Sequence, residues 1–221
     1  MKFRIVLVLA LMFSLSPLAQ AQDYKMELTP FFGYTFSTGV DVAIADSGSG
    51  VFVDKITPKS GFTWGFQADV LAGESFAIGF LYSNQFSKLE LREVSGQKTD
   101  ITDAKVRNYH AMFTYNVGDE DEPMRPFIFA GLGATQYAAD DILGNPTDSN
   151  SRFSTTWGGG VKWYGTDHIG VRTGLRWTPT YIKSDPAGYW CNPFWPGGCW
   201  LVSEAHYSHQ WQFDAGLILR F

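Results

Sequence analysis

Trp211-Gln-Phe-Asp-Ala-Gly-Leu-Ile-Leu-Arg-Phe221 is the stretch whose reading decides the fold. Taken every second residue, it places Trp211, Phe213, Ala215, Leu217, Leu219 and Phe221 on one face. Gln212, Asp214, Gly216, Ile218 and Arg220 fall on the other. Alternation with period two over the whole segment marks a strand whose faces meet different surroundings. Two environments suit an uncharged row opposite a polar, glycine-containing one: a half-buried sheet, or a barrel wall with lipid outside.

The amino terminus sets the compartment. Lys2 and Arg4 precede an apolar run, and Ala19-Gln20-Ala21 supplies a small-x-small site, so residues 1–21 read as a secretory signal peptide cleaved after Ala21. The apolar run is well short of the ~20 residues that a spanning helix needs. No Cys follows the cleavage site, which leaves a lipoprotein anchor unsupported. Residues 22–221 are expected to form a single domain. Losing Lys2 and Arg4 takes the 17 basic residues to 15 against 22 acidic, a net charge of −7, and no basic patch suggests nucleic acid. Abundant Gly, Phe, Trp and Tyr fits a β protein with tight turns. No later apolar run reaches helix-spanning length, so the mature chain is either soluble or crosses a membrane as a barrel.

Seven more segments alternate in the same way. Residues 27–36 set Leu28, Phe32, Tyr34 and Phe36 against Glu27, Thr29, Phe31 and Thr35. Pro30, which has no N–H to give, predicts a bulge or weakened pairing there. Residues 61–71 set Phe62, Trp64, Phe66 and Val70 against Thr63, Gly65, Gln67 and Asp69. Residues 76–86 and 106–117 carry Phe76, Ile78, Phe80, Tyr82, Tyr109, Phe113 and Tyr115 on their apolar rows. Residues 126–137 are ambiguous, with Ile128, Ala130, Leu132 and Ala134 assigned outward and Phe127, Phe129, Gly131 and Gly133 inward. Residues 153–164 and 169–178 complete the set, with Trp157, Val161, Trp163, Val171, Leu175 and Trp177 on the apolar side.

The connections alternate long and short, as in barrels with long extracellular loops and short periplasmic turns. The residues assigned outward include no Lys, Arg, Asp or Glu. The charges assigned to the strands, Glu27, Asp69, Lys162, Arg172, Arg176, Asp214 and Arg220, all belong to the other row. Lipid explains such a sorting, because a Lys or Arg on the lipid face costs about 2–4 kcal/mol at the midplane. A soluble sandwich would reverse the geometry and bury the aromatic row. The reading is therefore all-β: an eight-stranded antiparallel up-and-down transmembrane β-barrel. Its lumen should be narrow enough for side chains to fill. Inside, Asp69, Asp214 and Glu27 are expected to pair with Arg172, Arg176 or Lys162. Inward glycines should leave room for Phe31, Phe127 and Phe129.

Asp214-x-Gly216-x-x-Leu219-x-Phe221 resembles the C-terminal assembly signal of bacterial outer-membrane barrels. With Glu27-Leu-Thr-Pro-Phe-Phe-Gly33, Arg125-Pro-Phe-Ile-Phe-Ala-Gly-Leu-Gly133 and Gly158-Gly-Gly-Val-Lys162, it makes residues 22–221 similar to the eight-stranded outer-membrane barrel superfamily of OmpA-like, opacity-type and OmpW-like proteins. The resemblance implies export to the outer membrane of a Gram-negative bacterium. It implies outer-membrane lipid, lipopolysaccharide and the barrel-assembly machinery as partners, and no cofactor. OmpA-like chains carry a peptidoglycan-binding domain after the barrel. This sequence stops at the barrel, so that tether is not expected.

Candidate chemistry is sparse. Cys191 and Cys199 flank a short Pro- and Gly-containing segment in a chain that passes through an oxidising compartment, which suits a disulfide stapling a surface loop. A zinc site of Cys191, Cys199, His206 and His209 is the sharper alternative, but its spacing matches no common zinc motif. His206-Tyr-Ser208 resembles the His-x-Ser of lipid A deacylases, yet Ser208 shares the inward parity and no suitably placed acid completes a triad. Tyr189, Trp190, Phe194, Trp195 and Trp200 form either a contact patch or a cap over the barrel mouth. His110 reads as a hydrogen-bonded interior residue. The function expected is non-enzymatic: envelope integrity or surface interaction, with an OmpW-like narrow channel as the rival reading.

Overall fold

The computed structural model describes residues 26–38, 40–46, 52–93, 96, 98–119, 122–139, 150–181, 189–191, 199–201 and 207–221. Residues 1–21, the expected signal peptide, and residues 47–51, 140–149, 182–188, 192–198 and 202–206 lie outside this set. Every regular element among the described residues is a strand: β1 (Met26–Ser37), β2 (Val40–Asp46), β3 (Phe52–Pro58), β4 (Gly61–Ala72), β5 (Phe76–Glu93), β6 (Lys98–Asn116), β7 (Met124–Ala139), β8 (Asn150–Tyr164), β9 (Ile169–Tyr181), β10 (Tyr189–Cys191), β11 (Cys199–Leu201) and β12 (Tyr207–Arg220).

Antiparallel ladders run β1–β4–β5–β6–β7–β8–β9–β12, and β12 pairs back onto β1, so eight strands close into a barrel. The seam is tied at its end by Met26 N donating to Phe221 O (3.1 Å) and Phe221 N donating to Met26 O (2.9 Å). Partner follows partner round the wall as Met26, Val70, Ile78, Phe113, Ala130, Trp157, Trp177 and Trp211, and the path returns to β1 at Phe36. A stagger from Met26 to Phe36 in an eight-stranded barrel corresponds to a strand tilt of about 40°. Pro30 weakens its ladder as expected. The β1–β12 partners pass from Leu28↔Leu219 to Phe31↔Gly216 with the register kept, so the pairing lapses without a bulge.

Burial runs inside out. Phe32 (61%), Ile128 (61%) and Phe213 (58%) are exposed, while Thr63 (0%), Gln67 (1%) and Ser83 (0%) are buried. In β7, Ile128 and Leu132 do point outward and Phe127, Phe129 and Gly131 inward. Inward glycines seat the luminal phenylalanines: a Cβ on Gly65 would stand 2.6 Å from Phe31 Cζ, and one on Gly158 would stand 2.6 Å from Phe129 Cζ.

Three features depart from the sequence reading. The polar stretch before β4 forms the hairpin β2–β3, and β3 pairs along the upper part of β5. The second expected loop is mostly strand, since β5 and β6 stay paired from Phe76↔Tyr115 up to Arg92↔Lys98. Polar residues there do not end the ladder, because above the membrane neither face of a strand need be apolar. The third departure is Arg107. It lies in the 106–117 strand on the parity of Tyr109 and faces outward, with Lys105 above it, so the outward row does hold charge. Arg107 stands nine residues above Asn116, about 23 Å along the barrel axis at that rise and tilt. The apolar band of such barrels is about 25 Å tall, so Arg107 meets its outer edge, where the cost of a charge falls to about 0–1 kcal/mol.

This topology predicts a labelling pattern. With Cys191 and Cys199 replaced by Ser, a cysteine placed at Lys98, near the tip of the β5–β6 hairpin, is expected to react with an impermeant maleimide on intact cells. One at Glu74, in the short β4–β5 turn, is expected to react only after lysis. Equal labelling of both on intact cells overturns the orientation.

Candidate functional site

Inside the barrel, side chains bridge strands that are not neighbours, at three levels. At the short-turn end, Lys162 Nζ on β8 donates to Glu27 Oε2 on β1 (2.6 Å). The Tyr164 hydroxyl donates to Glu27 Oε1 (2.7 Å), as does Arg220 Nη2 (2.9 Å). Arg220 also stacks on the Tyr164 ring at 4.2 Å. One carboxylate thus collects two cations and a phenol, which is how a buried charge is made tolerable.

In the middle, Arg172 Nη1 on β9 donates to Gln67 Oε1 on β4 (2.6 Å). The Gln67 amide in turn donates to both Asp69 oxygens, at 3.0 and 2.8 Å. Arg172 Nε stands 3.9 Å from Asp214 Oδ1. Its guanidinium lies 4.8 Å from the Phe127 ring centre, and that of Arg176 lies 5.2 Å from the centre of Phe31. Phe31, Leu81, Met112, Phe127 and Phe129 form one buried cluster across the lumen. Apolar rings and guanidinium planes share this level because an arginine gives its face to an aromatic and its edges to acceptors.

Toward the long-hairpin end, neutral polar side chains make the bridges. Asn108 Nδ2 on β6 donates to Gln210 Oε1 on β12, on the opposite wall, at 3.2 Å. Thr135 Oγ1 donates to Asn108 Oδ1 (2.7 Å), and Thr180 Oγ1 donates to Thr135 Oγ1 (3.1 Å). His110 is buried, with Nε2 2.9 Å from Ser154 Oγ.

The expected pairing of Asp69, Asp214 and Glu27 with Arg172, Arg176 and Lys162 is only partly what the geometry places together. Glu27 holds Lys162 and Arg220, and Asp214 lies by Arg172. Asp69 bonds the Gln67 amide, its neighbour along the same inward row. Arg125, next to Pro126, was not singled out in the sequence. It is fully buried, and Nη2 donates to the carbonyls of Glu74 (2.6 Å) and Gly118 (3.3 Å), tying two short turns together. Its parity with Phe127 was the available signal.

Other candidates sit elsewhere. Ser208 is buried and donates to the Thr38 carbonyl at 3.2 Å. His206, Phe194 and Trp195 lie outside the described residues, as do the side chains of Tyr189, Trp190, Cys191, Cys199 and Trp200. The backbones of β10 and β11 set Trp190 opposite Trp200 and Cys191 opposite Cys199. His209 stacks between Tyr207 and Trp177 on the outer wall, at 6.4 and 5.7 Å. Of the assembly-signal residues, Asp214 is in the lumen, Gly216 faces β1 at the Pro30 lapse, and Phe221 makes the seam bonds.

Glu27→Gln removes the one carboxylate from this knot and leaves Lys162 and Arg220 buried with weaker acceptors. Breaking a buried pair in this way typically costs about 3–5 kcal/mol. The urea midpoint of the refolded barrel, followed by Trp fluorescence in lipid vesicles, is expected to fall accordingly. An unchanged midpoint would show that the knot contributes nothing.

Known proteins align with this architecture. The family described as Outer membrane protein beta-barrel domain matches residues 5–214. Curated protein sequences give no match. Among solved structures, the outer membrane protein OprG from Pseudomonas aeruginosa is similar with a TM-score of 0.58 at 11% identity, over 90% of this chain and 96% of that one. Neisserial surface protein A is similar with a TM-score of 0.54 at 15% identity, over 90% and 98%. The outer membrane protein AlkL is similar with a TM-score of 0.51 at 13% identity, over 92% and 94%. At such identities the structures speak to the fold alone. The family match spans most of the sequence and agrees with the closed, inverted barrel, so the chain belongs to the outer membrane protein beta-barrel domain family, whose place is the bacterial outer membrane.

Proposed function

We propose that this is a non-enzymatic barrel with a sealed lumen, whose role in envelope integrity or surface interaction is carried by its outer faces and loops. The observation that carries the reading is the set of cross-lumen contacts: Glu27 to Lys162, Gln67 to Arg172 and Asn108 to Gln210, at 2.6, 2.6 and 3.2 Å. Each joins strands that are not neighbours, so each narrows the bore at its own level, which supports a sealed lumen. The cluster of Phe31, Leu81, Met112, Phe127 and Phe129 packs in the lumen around the level of the Gln67–Arg172 bridge, where Leu81 is in register with Gln67. Opening such a lumen would unpair several buried charges at once, and removing one partner of a buried pair costs about 3–5 kcal/mol.

The burial of Ser208 and its bond to Thr38 O argue against a nucleophile presented to lipid. Mass spectra of lipid A from cells with and without the protein should therefore be the same. Planar-bilayer recordings of the refolded protein are expected to show no sizeable open channel. Stable openings would favour the rival reading, a narrow channel for small or hydrophobic solutes.

The stapled loop belongs to the same proposal. Residues directly opposed on antiparallel strands have Cα atoms about 4.5–5.5 Å apart, within the span a disulfide bridges. Cys191 and Cys199 are opposed in this way. Unfolded protein from oxidising cells is expected to bind a maleimide mass tag only after reduction. Tagging of both thiols before reduction rejects the staple.

A further inference from the structure

A row of like charges rises from the short-turn end of the lumen. Arg125, Lys162 and Arg172 stand on the adjacent strands β7, β8 and β9, directly opposed in register, and all three side chains are buried. Like charges placed opposite one another destabilise a ladder, and burial removes the water that would weaken their repulsion. Two of the three are answered. Lys162 Nζ donates to Glu27 Oε2 at 2.6 Å, while Arg172 donates to Gln67 Oε1 at 2.6 Å and stands 3.9 Å from Asp214 Oδ1. Arg125 is not. Its Nη2 donates to the backbone carbonyls of Glu74 and Gly118, but Nε and Nη1 are buried with no hydrogen bond among the described residues. No ion pair joins it to Glu74, Asp119 or Glu122, the described acids of the two turns it ties together. Asn116, buried diagonally across on β6, has a free Oδ1 that can accept one of these donors, yet an amide brings no charge.

We propose that one inorganic anion of halide size is bound at this end of the lumen, held by Nε and Nη1 of Arg125 with Lys162 beside it. Among the described residues, Arg125, Lys162, Arg172, Arg176 and Arg220 are buried against only Glu27, Asp69 and Asp214. Glu27 is already shared by Lys162 and Arg220, and Asp69 is bonded by the Gln67 amide. Arg176 rests on the ring of Phe31, 5.2 Å from its centre. Arg125 has neither a carboxylate nor a ring. A buried cation without a counter-charge is strongly disfavoured, and an anion supplies the charge and the missing acceptor together. Enclosure sets its size. Arg125 and Lys162 are 0% and 1% exposed, so a lipid headgroup, a sugar or a peptide does not reach them. Phe127, whose ring centre is 5.8 Å from Lys162 Nζ, gives this end an apolar wall, and a low local dielectric strengthens the attraction between the ion and its cations.

The test uses the full-length mature protein refolded in detergent, in sodium bromide or in sodium gluconate of equal ionic strength, gluconate being too large to enter. An ion that binds only the folded barrel raises its folding constant about tenfold at a concentration ten times its Kd. The urea midpoint, followed by Trp fluorescence, is therefore expected to be higher in bromide. Arg125→Gln should abolish that dependence, and Lys98→Gln, an exposed lysine on the long hairpin, should retain it. Heat-dependent gel migration verifies that each variant is folded. Crystals of the native protein grown in bromide are expected to show an anomalous peak against Nε and Nη1 of Arg125. This second measurement needs no variant, so it decides the matter even where Arg125→Gln does not refold. Equal midpoints in the two salts overturn the proposal, as does a dependence that survives Arg125→Gln. Bromide peaks found only elsewhere overturn it too. None of these outcomes depends on whether the lumen conducts, so the sealed-barrel reading stands or falls separately.

Discussion

Hydrocarbon offers no hydrogen bonds, and that single fact shapes this molecule. Every backbone N–H and C=O inside the bilayer must find its partner within the chain, and a sheet can do this only by closing on itself. The β1–β12 seam is therefore the contact on which the other ladders depend. Left open, it would expose two strand edges to lipid. The seam tolerates one lapse, at Thr29 and Pro30, and keeps its register through it. Gly216 faces that lapse, where a side chain would collide with Phe31 Cβ (2.9 Å).

Closure dictates what fills the middle. The apolar residues are drawn to the outside by lipid, which leaves the lumen to polar and charged side chains with no bulk water to receive them. Among the described residues, the buried charges are Glu27, Asp69 and Asp214 against Arg125, Lys162, Arg172, Arg176 and Arg220. Such a set holds only if carboxylates are shared, amides relay between charges and guanidinium planes rest on rings. All three devices are present: Glu27 takes two cations, Gln67 links Arg172 to Asp69, and Phe31 and Phe127 carry arginines. The phenylalanines reach the lumen because glycines face them. The bridges that satisfy charge also cross the bore, which is the support for the proposed sealed lumen.

On the proposed reading, a lumen engaged with itself leaves the outer surface to meet the surroundings. The rim is where the outer surface varies most, with stacked aromatics on one side and cations on the other. Above it, β5 and β6 rise beyond the membrane and recruit β2 and β3 into one sheet, while β11 lies against β2. Ion pairs such as Lys98 with Glu90 (3.0 Å) replace the apolar patterning in that region. They are partly exposed and individually weak, so the sheet's backbone ladder carries its order.

The sequence alone determined the class of the molecule. Period-two alternation from residue 211 to 221, repeated seven times, requires strands with unlike faces, and the absence of charge along most of one row requires lipid. That much is local information, because the side-chain period of a strand is set by its own backbone. The sequence was silent where pairing continues without that period. Polar residues after Phe86 read as loop, yet in the tertiary structure they extend β5 and β6. The choice of partners was equally hidden. Whether Asp69 meets a cation or the Gln67 amide, and whether Glu27 reaches Lys162 across the bore, depends on the stagger accumulated over eight strands, which no single segment encodes. Arg107 shows both sides of this. Its parity was written in the sequence, but its meaning is set by its height on the closed barrel, since one residue costs several kcal/mol at the midplane and almost nothing at the rim.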